Sequence, residues 1–313
     1  QIVCLTAAQI GNYGATGDDD EAAKPYIEGL IVREFSAIAS NWRSQERCQA
    51  YFERHRIPVL AGIDTRALVR HLRDHGAQRG VLAASGEPRA ELIARARALP
   101  SMIGCDLAQV VTAREAYTWP TVAPDARLVV AYDFGIKRNI LRQLAAHGLR
   151  VQVVPAKTSA ADVLALRPAG VFLSNGPGDP EPCDYAVENI RGLMGRVPVF
   201  GICLGHQLIG LALGGRTYKL KFGHHGGNHP VRHEASGRIE ITAHNHNFAV
   251  DPESLPAADV ELTHFDLNDG TLEGLRHRSL PLFSVQYHPE AAPGPHDSQY
   301  LFAEFAAMLR SAD

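Results

Sequence analysis

The stretch Val197-Pro-Val-Phe-Gly-Ile-Cys-Leu-Gly-His-Gln207 joins an apolar run to a cysteine with a glycine two positions to either side. The apolar run is typical of a buried strand, and the residues after the cysteine favour a helix. Gly201 and Gly205 allow the tight turn that such a junction needs. The stretch therefore predicts a strand–turn–helix elbow with Cys203 at its tip, in the pattern of a G-x-[S/C]-x-G nucleophile motif.

Short apolar runs alternate with helix-length segments before this elbow. The runs lie at 127–132, 149–154 and 170–173, and the helical patterns at 137–147, 160–166 and 186–193. This alternation indicates βαβ units and a parallel sheet covered by helices on both faces. We expect an α/β fold with an open, mostly parallel sheet flanked by helices, and functional groups at the carboxyl ends of its strands.

A proline-containing segment, Ala116–Ala126, is the predicted linker. Pro120 and Pro124 interrupt any regular element there. We expect an N-terminal mixed α/β domain over residues 1–122 and the sheet domain over residues 127–313. Because the chain opens on a strand-like run without Met, we also expect the first domain to lack its first segment.

Composition argues against several classes of function. The chain has 313 residues with 31 Lys+Arg and 34 Asp+Glu, a formal charge of −3, so neither nucleic-acid nor polybasic membrane binding is expected. No apolar stretch approaches the ~20 residues of a membrane span. The 5 cysteines are scattered and show no C-x-x-C spacing, which is typical of a reduced, cytoplasmic protein.

Cys203 is predicted to be a nucleophile. A helix that begins beneath it would stabilise the thiolate. A buried structural cysteine is the alternative, and the glycine-flanked elbow argues against it. His288 and Glu290 follow the apolar run Leu282–Tyr287, and alternate residues of an extended chain point the same way. The spacing predicts that Glu290 orients His288 as the base of a Cys-His-Glu triad.

Acyl chemistry also needs hydrogen-bond donors for an oxyanion. The backbone N–H of Leu204, directly after the nucleophile, is one candidate. The loop Ser174–Pro180 follows a predicted strand, and its glycines permit a second backbone N–H to approach the substrate. A plain βα turn is the alternative reading of this loop.

Three motifs carry a family resemblance: SNGPGDP at 174–180, GICLGHQ at 201–207 and QYHPE at 286–290. In this order they resemble class I, triad-type glutamine amidotransferases. Further segments narrow the resemblance to the small-subunit family of carbamoyl-phosphate synthetases: SNWR at 40–43, the stretch 62–80, KFGHHGGNHP at 221–230, NHNFAV at 245–250 and PEAAPGPHD at 289–297. The resemblance covers essentially the whole chain.

The resemblance implies a glutaminase subunit in which Cys203 forms a glutamyl thioester, His288 moves protons and Glu290 orients His288. It also implies a set of contacts around the oxyanion and the glutamine: Gly176, Gly178, Leu204, Gln207, Asn245, Asn247 and Phe248. Asn247 departs from the glycine that is frequent there, and Asn tolerates left-handed backbone better than most residues. The segment expected to be missing supplies a serine to the glutamine site in the family.

No G-x-x-x-x-G-K-[ST] loop and no dinucleotide-type G-x-G-x-x-G occurs, so we expect no cofactor in this chain. The resemblance implies a large-subunit partner in a heterodimer. That partner would bind ATP and Mg, receive ammonia through a tunnel and make carbamoyl phosphate from bicarbonate. Pyrimidine and arginine biosynthesis are both open as the pathway served.

Other functions stay open on the sequence alone. They are an amidotransferase subunit of a different synthase, a non-catalytic docking or regulatory subunit, and a free-standing cysteine hydrolase. The first domain and the HHGGNHP stretch argue against the first. The intact set of Cys203, His288 and Glu290 argues against the second.

A histidine-rich stretch raises the question of a metal. It comprises His224, His225, His229 and His233, with His244 and His246 further on. The spacing fits no standard zinc pattern, so we predict no metal site. A glycine-rich loop that faces the partner or the tunnel is the favoured interpretation.

Overall fold

The computed structural model describes residues 1–83, 86–120 and 126–310. The chain divides into two compact units, Gln1–Ser101 and Met102–Asp313. This boundary precedes the predicted linker because residues 104–113 are tied to the second unit. The N–H of Gly104 donates to Asp179 at 2.9 Å, and the N–H of Ala113 donates to Asp133 at 2.8 Å. Residues 121–125 of the predicted linker, including Pro124, lie outside the described residues.

The first unit holds short elements. In chain order they are β1 (Ile2–Cys4), β2 (Gln9–Ile10), β3 (Gly29–Ile31), β4 (Glu34–Phe35), α1 (Cys48–Arg54), β5 (Val59–Leu60), α2 (Thr65–His75) and α3 (Arg89–Ala98). Parallel pairing gives a sheet in the order β1-β3-β5 and a separate pair β2-β4. Helix α2 begins after Asp64, whose carboxylate accepts the N–H of Ala67 at 3.0 Å, a side-chain cap that satisfies one orphan donor.

The second unit is built around one large sheet. Its strands are β6 (Tyr117–Thr118), β7 (Leu128–Asp133), β8 (Arg150–Pro155), β9 (Gly170–Leu173), β10 (Val199–Ile202), β11 (Thr217–His233), β12 (Ile239–Val250), β13 (Val260–Asp266), β14 (Leu272–His277) and β15 (Leu282–Val285). Its helices are α4 (Ala108–Val111), α5 (Arg138–Ala146), α6 (Ala160–Ala165), α7 (Asp184–Leu193), α8 (Leu204–Ala212) and α9 (Tyr300–Arg310). Among the described residues, none of the helices is long and apolar enough to cross a bilayer.

The strand order of this sheet is β12-β11-β13-β14-β15-β10-β9-β7-β8-β6. The run from β15 to β8 is parallel, and the strands on either side of it pair antiparallel. The predicted α/β fold is confirmed, with a parallel centre and antiparallel additions at both edges. Since β10 and β15 are neighbours, the residues that follow them meet at one edge of the sheet.

Helices cover both faces of the parallel centre. Alternate residues of β7 serve the two faces: Val130 and Tyr132 pack in one apolar cluster, while Val129 and Ala131 pack in the other. Helices α6, α7 and α8 contribute to the first cluster, and α5 and α9 to the second. Burial on both faces explains why these strands read as continuous apolar runs in the sequence.

The glycine-rich loop predicted for the stretch of His224, His225, His229 and His233 is wrong. These residues lie in β11, which pairs antiparallel with β12 along most of its length. The register shifts between Lys219 and His224 and again between Gly226 and His229, as in β-bulges. The bulges allow this polar, glycine-rich segment to pair as a β-strand. It lacks the alternation of apolar and polar residues that would have predicted a strand.

Candidate active site

Cys203 occupies a strained turn between β10 and α8. Its backbone angles are φ 53° and ψ −104°, a region that L-residues with a Cβ rarely adopt. The N–H of Cys203 donates to Val285 O at 2.9 Å, and the N–H of Gly205 donates to Ser174 O at 3.1 Å. Val285 ends β15 and Ser174 directly follows β9, so these bonds fix the turn from both sides. A structural cysteine has no need of such strain, whereas a nucleophile lifted above a sheet edge does.

The two glycines of the elbow are needed for steric reasons. A Cβ on Gly205 would lie 2.3 Å from Leu173 O, and a Cβ on Gly201 would lie 2.7 Å from Ile209 Cδ1. Both distances are shorter than any ordinary contact. Helix α8 can therefore approach the sheet this closely only with glycine at both positions, as the motif predicts.

His288 and Glu290 form a buried pair just beyond β15. The His288 Nδ1 lies 2.7 Å from Glu290 Oε1. The backbone N–H of His288 donates to Ala243 O at 2.8 Å. An ionised carboxylate accepts only, so Nδ1 carries the proton and Nε2 is the nitrogen left for the nucleophile. Among the described residues, Nε2 has no hydrogen-bond partner of ordinary geometry.

The charges of this pair are mutually supporting. Burial alone would lower the pKa of His288, but Glu290 and Cys203 together raise that pKa to about 9. The backbone N–H of Cys203 donates to Val285 O, three residues before His288, so the elbow lies beside this pair. Burial alone would raise the pKa of Glu290, yet His288 and Lys137 hold it below its ordinary value. The arrangement favours an imidazolium next to the thiol and an ionised carboxylate behind it.

Lys137 is a part of the site that the sequence reasoning missed. Its Nζ lies 3.1 Å from Glu290 Oε1 and also donates to Ala291 O. Its backbone N–H donates to Asn175 Oδ1 at 3.1 Å. Lys137 directly precedes α5, more than 150 residues from Glu290 in sequence, and no linear motif links the two. Position at the carboxyl end of β7 was the only signal that could have suggested it.

The loop Ser174–Pro180 lies against the elbow. A Cβ on Gly176 would lie 2.3 Å from Phe134 O and 2.7 Å from Leu204 Cδ2. There is therefore no room for a side chain at this position, and the backbone of Gly176 lies directly against Leu204. Gly178 adopts φ +98°, and a Cβ on it would meet Leu107 instead. The structure thus brings Gly176 and Leu204 together beside Cys203, while Gly178 faces the segment that precedes α4.

The residues that the resemblance assigns to glutamine fall into two groups. The Gln207 amide donates to Phe248 O at 2.8 Å and to Gln286 Oε1 at 3.0 Å, so it ties α8 to β12. Asn245 and Asn247 lie on the other face of β12. Asn245 Oδ1 lies 3.0 Å from His225 Nδ1. The structure brings Gln207 and Phe248 together; their contacts with glutamine, and those of Asn245 and Asn247, stay predictions.

The strained elbow, the His–Glu pair and the adjoining glycine loop define a class I glutamine amidotransferase domain. The family model "Glutamine amidotransferase class-I" matches residues 130–308, and the model "Carbamoyl-phosphate synthase small chain, CPSase domain" matches residues 1–82. The carbamoyl phosphate synthase small chain of Syntrophotalea carbinolica is 54% identical over 99% of this chain and 85% of its own length. The chain therefore belongs to the carbamoyl phosphate synthase small chain family.

Other proteins agree with this membership. The small chains of Chlorobaculum tepidum and Escherichia coli K12 are 55% and 50% identical, each over 99% of this chain and 85% of the relative. A solved structure from Thermoplasma acidophilum, described as a putative GMP synthase subunit, superposes with a TM-score of 0.52 at 21% identity. That alignment covers 60% of this chain and 96% of the other, and it supports the fold of the amidotransferase domain.

Proposed function

We propose that this chain is the glutaminase subunit of a carbamoyl-phosphate synthetase. It hydrolyses L-glutamine at Cys203 and delivers ammonia to a large-chain partner. The observation that carries the proposal is a strained, glycine-flanked cysteine that is hydrogen-bonded to the strand leading into His288, whose imidazole lies 2.7 Å from a buried carboxylate. Family membership supports the same conclusion.

In the proposed reaction the Cys203 thiolate attacks the carboxamide carbon of glutamine, and a C–S bond forms. The backbone N–H groups of Leu204 and of the loop at Gly176 stabilise the oxyanion. The His288 imidazolium gives its Nε2 proton to the amide nitrogen, the C–N bond breaks and ammonia leaves. His288 then takes a proton from a water molecule, and the water oxygen attacks the thioester carbon. The C–S bond breaks, glutamate is released and the Cys203 thiolate is restored.

Glu290 and Lys137 act on this chemistry through His288. Glu290 fixes the imidazole so that Nε2 faces the thiol, and its charge stabilises the imidazolium. Lys137 in turn favours the ionised form of Glu290. Neither Glu290 nor Lys137 gains or loses a proton during turnover.

The partner in this proposal is a large chain that holds ATP and Mg and converts bicarbonate and ammonia to carbamoyl phosphate. This chain itself needs no cofactor for glutamine hydrolysis, and neither nucleic acid nor a membrane takes part. We place the complex in the cytoplasm, where carbamoyl phosphate serves pyrimidine or arginine biosynthesis. Direct transfer matters because free ammonia is protonated at neutral pH and is then no nucleophile.

Glutamate release tests the proposal. The chain is assayed with glutamine alone, and again with a carbamoyl-phosphate synthetase large chain, ATP and bicarbonate, with Cys203→Ser as control. We expect weak activity alone, a strong rise with the partner and loss in the variant. Equal activity with and without partner would indicate a free-standing hydrolase. Activity in neither case, from a chain that binds the partner, would indicate a docking subunit.

A further inference from the structure

A second group of titratable side chains lies within the sheet next to the active site. It joins three strands: His224 on β11, His244 and His246 on β12, and Glu273 on β14. All of these side chains are buried. One ligand atom from each lies within 4.8 Å of every other. The cluster is distinct from the Cys203 triad, and the proposed glutaminase mechanism makes no use of it.

The separations between these atoms suit a tetrahedral ion. His224 Nδ1 lies 3.4 Å from Glu273 Oε1, and His246 Nε2 lies 3.8 Å from the same oxygen. His244 Nδ1 lies 3.2 Å from His246 Nε2 and 3.6 Å from Glu273 Oε2. A tetrahedron with metal–ligand bonds of about 2.0–2.1 Å has edges of about 3.3 Å. Small side-chain shifts would bring all four atoms onto one centre.

The outer nitrogen of each imidazole is already held. His224 Nε2 lies 2.8 Å from Asp269 Oδ2, His244 Nε2 lies 2.7 Å from Thr242 Oγ1, and His246 Nδ1 lies 2.9 Å from Phe248 O. Metal-bound histidines show this arrangement, in which a carboxylate, hydroxyl or carbonyl fixes the tautomer and aims the other nitrogen at the ion. Here the aimed nitrogens all point into the same small volume.

Two of the four inner groups lack hydrogen-bond partners among the described residues. Both oxygens of Glu273 and the Nδ1 of His224 are buried without a hydrogen bond. A buried carboxylate without hydrogen bonds costs several kcal/mol unless a proton or a cation compensates it.

We propose that the cluster is a structural zinc site that ties β11, β12 and β14 together, with ligands His224, His244, His246 and Glu273. Three imidazoles and one carboxylate suit zinc, whereas magnesium and calcium prefer oxygen donors only. Four protein ligands fill the coordination sphere and leave no position for water or substrate. The ion therefore stabilises the sheet and takes no part in catalysis. The ion also stabilises β12 at Ala243, whose carbonyl accepts the backbone N–H of His288.

A second possible set of ligands shares His224 and His244 with the first, and it supplies a control variant. It replaces His246 and Glu273 by His229 and Asp266. We favour the first set because His229 Nδ1 is already engaged by Asp266 at 3.0 Å. His229→Gln should therefore leave zinc binding intact. His264→Gln provides a matched buried histidine outside both groups.

The test uses the untagged full chain, loaded with zinc sulfate, dialysed against a weak chelator and analysed by plasma mass spectrometry and thermal melting. We expect one zinc per chain and a melting temperature that rises with zinc and falls with EDTA. Loading with cobalt(II) should give the visible absorption of a four-coordinate ion. His244→Gln and Glu273→Gln should bind zinc more than about 100-fold more weakly, and both controls should bind as the parent does.

Several results would overturn the proposal. They are no zinc retained by the parent, zinc retained equally by all variants, or loss of zinc in His229→Gln but not in Glu273→Gln. The titration and melting of the parent decide the matter even where a variant fails to fold. If the parent retains no zinc, a proton shared between His224 and Glu273 compensates the charge of the buried carboxylate instead. Zinc content is read without turnover, so it stands apart from the glutaminase assay.

Discussion

At the scale of single residues, the backbone of Cys203 is the informative feature. A non-glycine residue at φ 53° and ψ −104° stores strain of about 1–3 kcal/mol, which persists only where the surroundings impose it. Hydrogen bonds to Val285 of β15 and to Ser174, just after β9, impose it here. Cys183 offers the contrast, since it is equally buried but has an ordinary φ of −90°.

We expect Cys203→Ser to reduce glutamate release on the order of 10⁴-fold or more while the fold is retained. An electrophilic glutamine analogue should label Cys203 and spare Cys183, because burial raises the pKa of Cys183 to about 12. Peptide mass spectrometry reads the labelling. Cys183→Ser is the matched control and should keep its activity. Equal labelling of both cysteines would contradict the assignment of the nucleophile.

Lys137 is a positioning residue, and its replacement should change a pH profile. In Lys137→Met, Glu290 loses a positive charge at 3.1 Å, so its pKa rises and it protonates at a higher pH. We expect kcat to fall about tenfold, equivalent to ~1.4 kcal/mol, with the acid limb moved to higher pH and KM for glutamine little changed. Lys137→Arg retains the charge and should recover the parent profile. An unmoved acid limb in Lys137→Met would reduce Lys137 to a packing role.

At the scale of elements, linear motifs were predictable and pairings between distant strands were not. The β10–α8 elbow lies within a few residues of sequence, where propensity and spacing act directly. Strands β11 and β12 gave no such signal, since glycines, histidines and two bulges break the alternation of apolar and polar residues. Their pairing with the rest of the sheet decides their conformation.

The close contact between α8 and β9 leads to a prediction on stability. Gly205→Ala would place a Cβ 2.3 Å from Leu173 O, and backbone cannot yield as a flexible side chain can. We expect a loss of about 2–3 kcal/mol in the free energy of unfolding, measured by urea denaturation. Gly227→Ala is the control, because its Cβ would meet Pro295 Cδ at an ordinary 3.6 Å, and the change should stay within about 0.5 kcal/mol. Equal effects would refute the steric account.

At the scale of the whole molecule, strand order assembles what the sequence keeps apart. The contact between His288 and Glu290 was predictable because the two residues lie two apart in an extended segment, and the turn at Cys203 was predictable because its glycines form a recognisable elbow. Lys137 reaches Glu290 only because β7 and β15 lie in the same parallel run. His224 and Glu273 come together because β11 and β14 lie in one sheet, so their separation in sequence gave no signal of this contact.

The buried pair of the triad also makes the stability of the whole chain depend on pH. His288 has an ordinary pKa of 6.5 when unfolded and about 9 when folded, so its contribution is complete below pH 6.5 and is lost as the pH rises through 9. Glu290→Gln removes the largest influence that raises this pKa. The free energy of unfolding should then fall less steeply between pH 6.5 and 9 in the variant than in the parent. The other histidines are common to both chains, so the difference between the two curves reports His288. Parallel curves would show that Glu290 does not stabilise the imidazolium.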